Sequence, residues 1–312
     1  MIETIEASLD NHELRPIVFR FLRGEISSHV TLMQMLTESS LDGVAEAIRA
    51  MESAVGSLDE ESPIAARVAE LVRLYRDNRE RCAEIARSLD QQVDFESDAE
   101  SDADRVAHYS RLFDGLVLES PEASVAAYSL GRKEVLEQST AEIVDHMSRM
   151  KLLGSDRSIL QIGCGIGRFE AALSPYVRNA TGIDISPRMI ESAKERCAGL
   201  VNVTLHETTG LDLGIFRDAQ LDLVYAVDSF PYIVGVGMSL AQTYFSEAWR
   251  VLRTGGDLLI LNFSYRESID EDRIDVVELA RLNGFEVLVS GDTPFRLWDG
   301  AVFHLRKGRR AG

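Results

Sequence analysis

ILQIGCGIGRFEAAL, running from Ile159 to Leu173, sets Gly163, Gly165 and Gly167 at alternate positions between an apolar run and a helical pattern. A strand, a glycine turn and a helix in that order make either a nucleotide-holding loop or a tight connection with no ligand. Three residues beyond Gly165 stands Arg168, where a dinucleotide fingerprint takes glycine or alanine. A pyrophosphate therefore fits this turn poorly.

Downstream, GIDIS ends a second apolar run on Asp184, ahead of Ser186-Pro187, a good helix entry. Ser186 supplies the cap. The two acceptor oxygens of Asp184 are then left for the hydroxyls of an adenosine ribose, a geometry that serves NAD and S-adenosylmethionine alike. From Ser158 onward, strand-like runs (SILQIG, NATGIDIS, NVTLHE, LDLVYAVD, DLLILNFS) alternate with helical ones (FEAALSPY, PRMIESAKERCAG, SLAQTYFSEAWRVL). Such alternation predicts a parallel sheet covered by helices. FEVLVSG (Phe285 to Gly291) and AVFHLRK (Ala301 to Lys307) follow with no helix between them, so a hairpin closes the sheet. His206 alternates within an apolar strand and reads as a core histidine.

Ahead of this region, to about Gln92, the text is helical, with apolar residues spaced by three and four as in Ile64, Val68, Leu71, Leu74 and Tyr75. Breaks at Gly24, at Ser39-Ser40 and from Gly56 to Pro63 divide it into three or four helices. DFESDAESDAD (Asp94 to Asp104) then alternates acids with small residues, and like-charge repulsion marks it as a linker. It lacks the glycine and the closing glutamate of a calcium loop. The expected division is an N-terminal helical domain over 1–93, an acidic linker and connecting segment over 94–122, and the ligand-binding α/β domain over 123–312.

With 312 residues, 45% of them hydrophobic, the chain can bury a full core. No run approaches the roughly 18 to 20 apolar residues of a membrane span, and the opening MIETIEASLDNHELRP has no basic-then-apolar leader. Cys82, Cys164 and Cys197 are odd in number and far apart, which suits reduced thiols in the cytoplasm and implies no metal site. A net charge of -18 disfavours nucleic acid as a partner. The basic RKGRR end (Arg306 to Arg310) reads as a solvated tail.

Four segments in order, ILQIGCGIGRF, GIDISPRMIESAKER, LDLVYAVDSF and AWRVLRTGGDLLILN, resemble the class I S-adenosylmethionine-dependent methyltransferases over roughly residues 125–307. Arg250 to Gly256 matters most, because a helix, a glycine turn and an apolar strand at that place are usual in this family and not in nicotinamide folds. The resemblance implies an α/β, Rossmann-like, doubly wound seven-stranded sheet with an antiparallel C-terminal hairpin, beside the all-helical N-terminal domain. S-adenosylmethionine is the implied cofactor. Gly163, Gly165 and Gly167, with Cys164 among them, would let the backbone approach its methionine half. Asp184 would grip the ribose, Ile185 and Met189 would cover the adenine face, and Asp228 would lie near the methionyl ammonium or the acceptor. Where many members carry an aspartate that reads the adenine amino group, this chain has Thr209, whose hydroxyl can still accept one hydrogen bond, and Leu211 or a backbone amide, as at Gly210, would contribute more. Ala127 to Gln138 reads as a helix over the cofactor, with Tyr128 or Arg132 near its carboxylate.

The expected reaction is methyl transfer to oxygen or nitrogen of a small-molecule acceptor. Candidates for the chemistry lie at the carboxyl ends of strands: Asp228, Tyr232, Tyr265 and Arg266. A base is needed only when the acceptor is a hydroxyl or a protonated amine. Arg266 either pairs with a substrate carboxylate or bridges to Asp270 or Glu271, and Tyr232 either meets the acceptor or packs a loop with Phe230. AVDSFPYIV (Ala226 to Val234) departs from the Asp-Pro-Pro-Tyr box of amino-methylating nucleic-acid enzymes. Arg296, Trp298 and Asp299 read as turn and core packing ahead of pocket wall. The N-terminal helices are open to three roles: a cap on the acceptor pocket, a homodimer contact, or a docking face for a protein partner. Two other functions compete, a catalytically silent cofactor-binding regulatory or assembly protein and an NAD-dependent oxidoreductase, and Arg168 with the Gly255-Gly256 turn counts against the second.

Overall fold

The computed structural model describes residues 9, 11–56, 62–93, 101–266 and 268–308. The readings placed on the opening residues, on 57–61, on the acidic stretch 94–100 and on the last residues of the basic end lie outside the described residues. The chain divides into two compact units, Met1–Glu96 with Glu122–Ser139 and Arg296–Asp299, and Ser97–Pro121 with Thr140–Phe295 and Gly300–Gly312.

The first unit begins with α1 (Leu14–Arg23), α2 (Ser28–Glu38), α3 (Leu41–Val55), α4 (Pro63–Asp77) and α5 (Arg79–Val93). Their apolar faces meet in one core, in which Phe21, Leu32, Met35, Met51 and Leu71 are buried. Ser27 and Ser40 cap α2 and α3 by accepting the Val30 and Gly43 amides. The division between α4 and α5 has no glycine or proline to announce it. Buried Asn78 turns its side-chain amide onto the Leu74 carbonyl at 2.8 Å, an alternative to the helical ladder.

Past the acidic stretch come α6 (Asp102–Glu119), α7 (Pro121–Val125) and α8 (Lys133–Arg149). The expected linker thus ends earlier than 122, because α6 occupies 102–119 and groups with the second unit. Two features make it a helix. Asp102 and Asp104 sit in its first turn, where acids suit the helix dipole and Ser101 caps the Asp104 amide, and Val106, Tyr109, Phe113 and Val117 recur by three and four. The expected start of the α/β domain at 123 also shifts, since Glu122–Ser139 groups with the helical unit. Nor is Ala127 to Gln138 one helix: a single 3-10 turn, Ala127–Ser129, is followed by Leu130 and Gly131 at φ 53° and 66°, which stop it before α8.

The second unit is a seven-stranded sheet of β1 (Gly154–Ile162), β2 (Val177–Asp184), β3 (Val203–Glu207), β4 (Leu221–Val227), β5 (Leu252–Leu261), β6 (Phe285–Asp292) and β7 (Val302–Lys307). Its order is β3-β2-β1-β4-β5-β7-β6, with the first five strands parallel and β7 antiparallel to both β5 and β6. The covering helices are α9 (Arg168–Leu173), α10 (Pro187–Arg196), α11 (Phe230–Val236), α12 (Met238–Val251) and α13 (Ile269–Asn283). This is a Rossmann-like doubly wound sheet with a closing hairpin. Central β4 is apolar almost throughout because both its faces are covered, and Leu223, Val224, Tyr225 and Ala226 are fully buried. Edge strand β3 is different. His206 is exposed there, so its reading as a core residue is corrected: β3 has a neighbour on one side only, and its residues alternate toward solvent.

Strand order reverses between β1 and β4, and open sheets hold ligands outside the carboxyl ends of strands at such a reversal. The glycine turn leaves β1 there, and Asp228 leaves β4 beside it. Among the described residues, no helix is long and apolar enough to cross a membrane.

Candidate active site

Gly163, Gly165 and Gly167 have φ of 68°, 51° and 73°, backbone that side chains rarely adopt. Space makes a second demand. A Cβ on Gly163 would overlap Ser229 Cβ at the end of β4, and one on Gly167 would lie 2.9 Å from Ala193 Cβ and 3.2 Å from Cys197 Sγ in α10. Cys164 turns its side chain inward against Gly182, and its buried thiol is held well above the usual range by desolvation and then by nearby Glu170.

Asp184 ties this turn to β2. Its Oδ2 accepts the Gly165 amide at 2.8 Å and its Oδ1 the Ser186 amide at 2.9 Å. Burial raises its pKa, and the amides of Ser186, Gly165 and Ile185 oppose the rise by favouring the charged form. A carboxylate has about four acceptor positions, so these amides leave part of its capacity for a ribose hydroxyl. Ser186 caps α10 through the Met189 amide, and Met189 itself is buried on the inner side of that helix. Ile185 stands partly buried against Gly210, whose φ is 73° and whose missing Cβ would lie 2.5 Å from Ile185 Cγ2 and 2.8 Å from Val106 Cγ1. Thr209 is exposed, and its hydroxyl accepts the Leu211 amide at 3.4 Å.

Val106 brings α6 into the site. Ser110 Oγ donates to the Ile185 carbonyl at 2.8 Å, and Asp114 accepts from Ser186 Oγ at 2.6 Å and from the Arg188 amide at 3.2 Å. Tyr109 and Phe113 pack edge-on against Tyr232, with ring centroids 5.2 and 5.0 Å away. Sequence reasoning missed these α6 residues because acidity dominated the segment, although the spacing of Val106, Tyr109 and Phe113 carried the signal.

Around Asp228 the backbone is unusual. Among the described residues, five non-glycines have positive φ, and two of them, Asp228 at 55° and Asn262 at 66°, end the adjacent strands β4 and β5. Asn262 Nδ2 donates to Asp228 Oδ1 at 2.7 Å. The Tyr265 hydroxyl lies 3.3 Å from the Asp228 carbonyl and 3.5 Å from Oδ1, and its ring meets Tyr232 edge-on at 5.7 Å. The Tyr232 phenol is pushed up by burial and then by the Asp228 charge, so it stays protonated.

Arg266 is placed elsewhere. Its guanidinium bonds Asp272 at 2.7 Å and Asp275 at 2.8 Å, and its Nε donates to Ser264 Oγ at 3.1 Å. The fork bonds acids of α13, which is the bridging role that the sequence left open beside a substrate role. Its bridging partners are Asp272 and Asp275 ahead of Glu271, 3.9 Å away. Tyr128 and Arg132 belong to the first unit, where the buried Tyr128 hydroxyl donates to Ser139 Oγ at 3.0 Å. In that same unit Trp298 is buried, and Asp299 accepts from Gln34 at 2.5 Å.

One group under the turn had no place in the sequence reading. Glu170 of α9 is 0% exposed, and both its carboxylate oxygens lack a hydrogen-bond partner. The nearby Tyr225 hydroxyl donates instead to Gln161 at 3.2 Å. Desolvation pushes Glu170 up to about 8, with Asp184 adding to the rise and the backbone and Arg168 opposing it.

Residues 160–260 match the family model described as a methyltransferase domain. Demethylmenaquinone methyltransferase of Tropheryma whipplei (strain Twist) is 33% identical over 117 residues, covering 37% of this chain and 46% of that protein. Sterol 4-C-methyltransferase strm-1 of Caenorhabditis elegans is 25% identical over 139 residues, or 44% of this chain and 40% of the relative. The chain thus spans less than half the length of these relatives. Among solved structures, Haemonchus contortus phosphoethanolamine N-methyltransferase 1, bound to phosphoethanolamine and S-adenosylhomocysteine, superposes with a TM-score of 0.56 at 17% identity. That match covers 68% of this chain and 51% of the other, and it is a likeness of fold. The sheet unit thus has the fold of the class I S-adenosylmethionine-dependent methyltransferases, with a methyltransferase-domain match over residues 160–260, and S-adenosylmethionine is the cofactor this likeness supports.

Arg266→Ala is accordingly expected to lower stability by about 2 kcal/mol, because it leaves partly buried acids of α13 short of donors. Affinity for S-adenosylhomocysteine should not change. Thermal melting beside calorimetry checks both, and a loss of methyl transfer without a loss of stability would point to a substrate role for Arg266.

Proposed function

We propose that this protein transfers the methyl group of S-adenosylmethionine to oxygen or nitrogen of a small-molecule acceptor. The observation that carries the proposal is the juxtaposition at the strand-order reversal: a glycine turn with no room for side chains, a buried carboxylate bonded to that turn, and a second carboxylate at the end of the neighbouring strand. In this reading Gly163, Gly165 and Gly167 admit the methionine half, Asp184 holds the ribose hydroxyls, and Ile185, Gly210, Leu211 and Val106 enclose the base. Thr209 is exposed and contributes through its backbone. The sulfonium, when bound, supplies an activated methyl group.

The work left to the chain is alignment and proton removal. Asp228 accepts the proton that an acceptor hydroxyl or ammonium gives up, and Tyr265 and Tyr232 donate hydrogen bonds around it. A small acceptor fits the chain's strong negative charge better than a nucleic acid does, and three free, buried cysteines suit a cytoplasmic location. The relatives are named for quinone, sterol and phosphoethanolamine acceptors, so the acceptor atom is for experiment to decide.

The test is methyl transfer from isotope-labelled S-adenosylmethionine to a panel of small alcohols, phenols and amines, read by mass spectrometry. Asp228→Asn tolerates the left-handed backbone and should lower kcat by about 10²- to 10⁴-fold with S-adenosylhomocysteine affinity retained. Cofactor binding with no transfer to any acceptor class would favour a regulatory module instead.

A further inference from the structure

We infer that Asn262 is a positioning residue that fixes the carboxylate of Asp228 toward the acceptor, an inference that rests on the proposed role of Asp228.

Asn262 directly follows β5. Its amide donates to the Ala301 carbonyl at 2.8 Å, and its side-chain Oδ1 accepts the Ala301 amide at 2.8 Å. These two bonds carry the pairing of β5 with β7 one residue beyond Leu261 and Val302. They also decide which way the side chain faces. With Oδ1 taken by an N–H, Nδ2 must point the other way, and it meets Asp228 Oδ1 at 2.7 Å. The reverse orientation would set N–H against N–H on one side and oxygen against oxygen on the other.

Asp228 is held from its backbone as well, through its amide to the Leu261 carbonyl at 3.0 Å. Both residues stand in left-handed backbone at adjoining strand ends, where asparagine and aspartate are tolerated better than other side chains. The Tyr265 hydroxyl, at 3.5 Å from the same oxygen and on a 60% exposed residue, is the looser donor. Asn262 is therefore the fixed one. An amide N–H that can only donate favours the ionised carboxylate, the form that accepts a proton.

Asn262→Gly keeps the positive φ and removes the side-chain amide, both its donor to Asp228 and its acceptor for the Ala301 amide. Carboxyl 13C NMR of labelled aspartate, assigned with Asp228→Asn, follows Asp228 without any acceptor present. Its titration midpoint should rise by about one pH unit in Asn262→Gly, since a donor to the charged form is gone. With the acceptor found by the panel, kcat should fall about 10-fold or more, the acid limb of the pH profile should move up in step, and S-adenosylhomocysteine binding should stay unchanged. An unmoved midpoint overturns the inference. Should Asn262→Gly melt too low to assay, Asn262→Asp carries the same expectation, because it sets a second carboxylate against Asp228. Full activity in Asp228→Asn would remove the parent reading instead, whereas an inactive Asp228→Asn beside an unperturbed Asn262→Gly removes only the positioning role.

Discussion

Asp184→Ala is expected to weaken binding of S-adenosylhomocysteine by about 100-fold or more, from two lost hydrogen bonds to a charged acceptor at about 1.5–3 kcal/mol each. The same carboxylate also accepts the Gly165 and Ser186 amides, so its removal leaves two buried donors unpaired beneath the glycine turn. A drop in melting temperature without ligand should accompany the loss. Asp184→Asn separates the two effects: it keeps one acceptor for the backbone, so stability should recover further than affinity does. Calorimetry on the three proteins checks this, and wild-type affinity in Asp184→Ala would remove the ribose assignment and the cofactor orientation built on it.

Glu170→Gln is expected to raise stability under alkaline conditions and to flatten its pH dependence. Burial pushes Glu170 up to about 8 in the folded chain against 4.5 in the open, because desolvation outweighs the backbone, Arg168 and Tyr225. Between those values the folded state holds a proton that the unfolded state has released, so stability falls as pH rises. The contribution is fully present below 4.5 and fully lost above about 8. A shift of this size corresponds to a swing on the order of 5 kcal/mol. The glutamine keeps the volume and cannot ionise, so the two proteins should unfold alike at low pH and diverge by pH 8. Parallel curves of melting temperature against pH would show that the carboxyl finds a partner or a water when it ionises.

How much of this was legible beforehand depends on whether a residue's role is local. Gly163 and Gly167 were, since a strand that breaks into alternate glycines before a helix needs positive φ, and no other residue adopts it so freely. Asp184 stood out because Ser186-Pro187 already explained the helix entry. Arg266 was not settled, since its partners Asp272 and Asp275 lie across a turn whose direction the text does not state. Nor was His206, whose exposure follows from β3 lying at the sheet's edge. In α6 the acids were read and the three-and-four spacing was not.

By itself, then, the sequence determined the alternation of strands with covering helices and the glycine turn, because apolar period, backbone freedom and capping act within a few neighbouring residues, while the doubly wound order and the class of cofactor came from the family resemblance. Only the tertiary structure decided that β7 lies between β5 and β6, that α6 packs on Ile185 and Gly210, and that Asn262 faces Asp228 across 34 residues of chain. Those contacts form when distant strands pair in register, and register depends on how whole faces pack, which no short window of residues records.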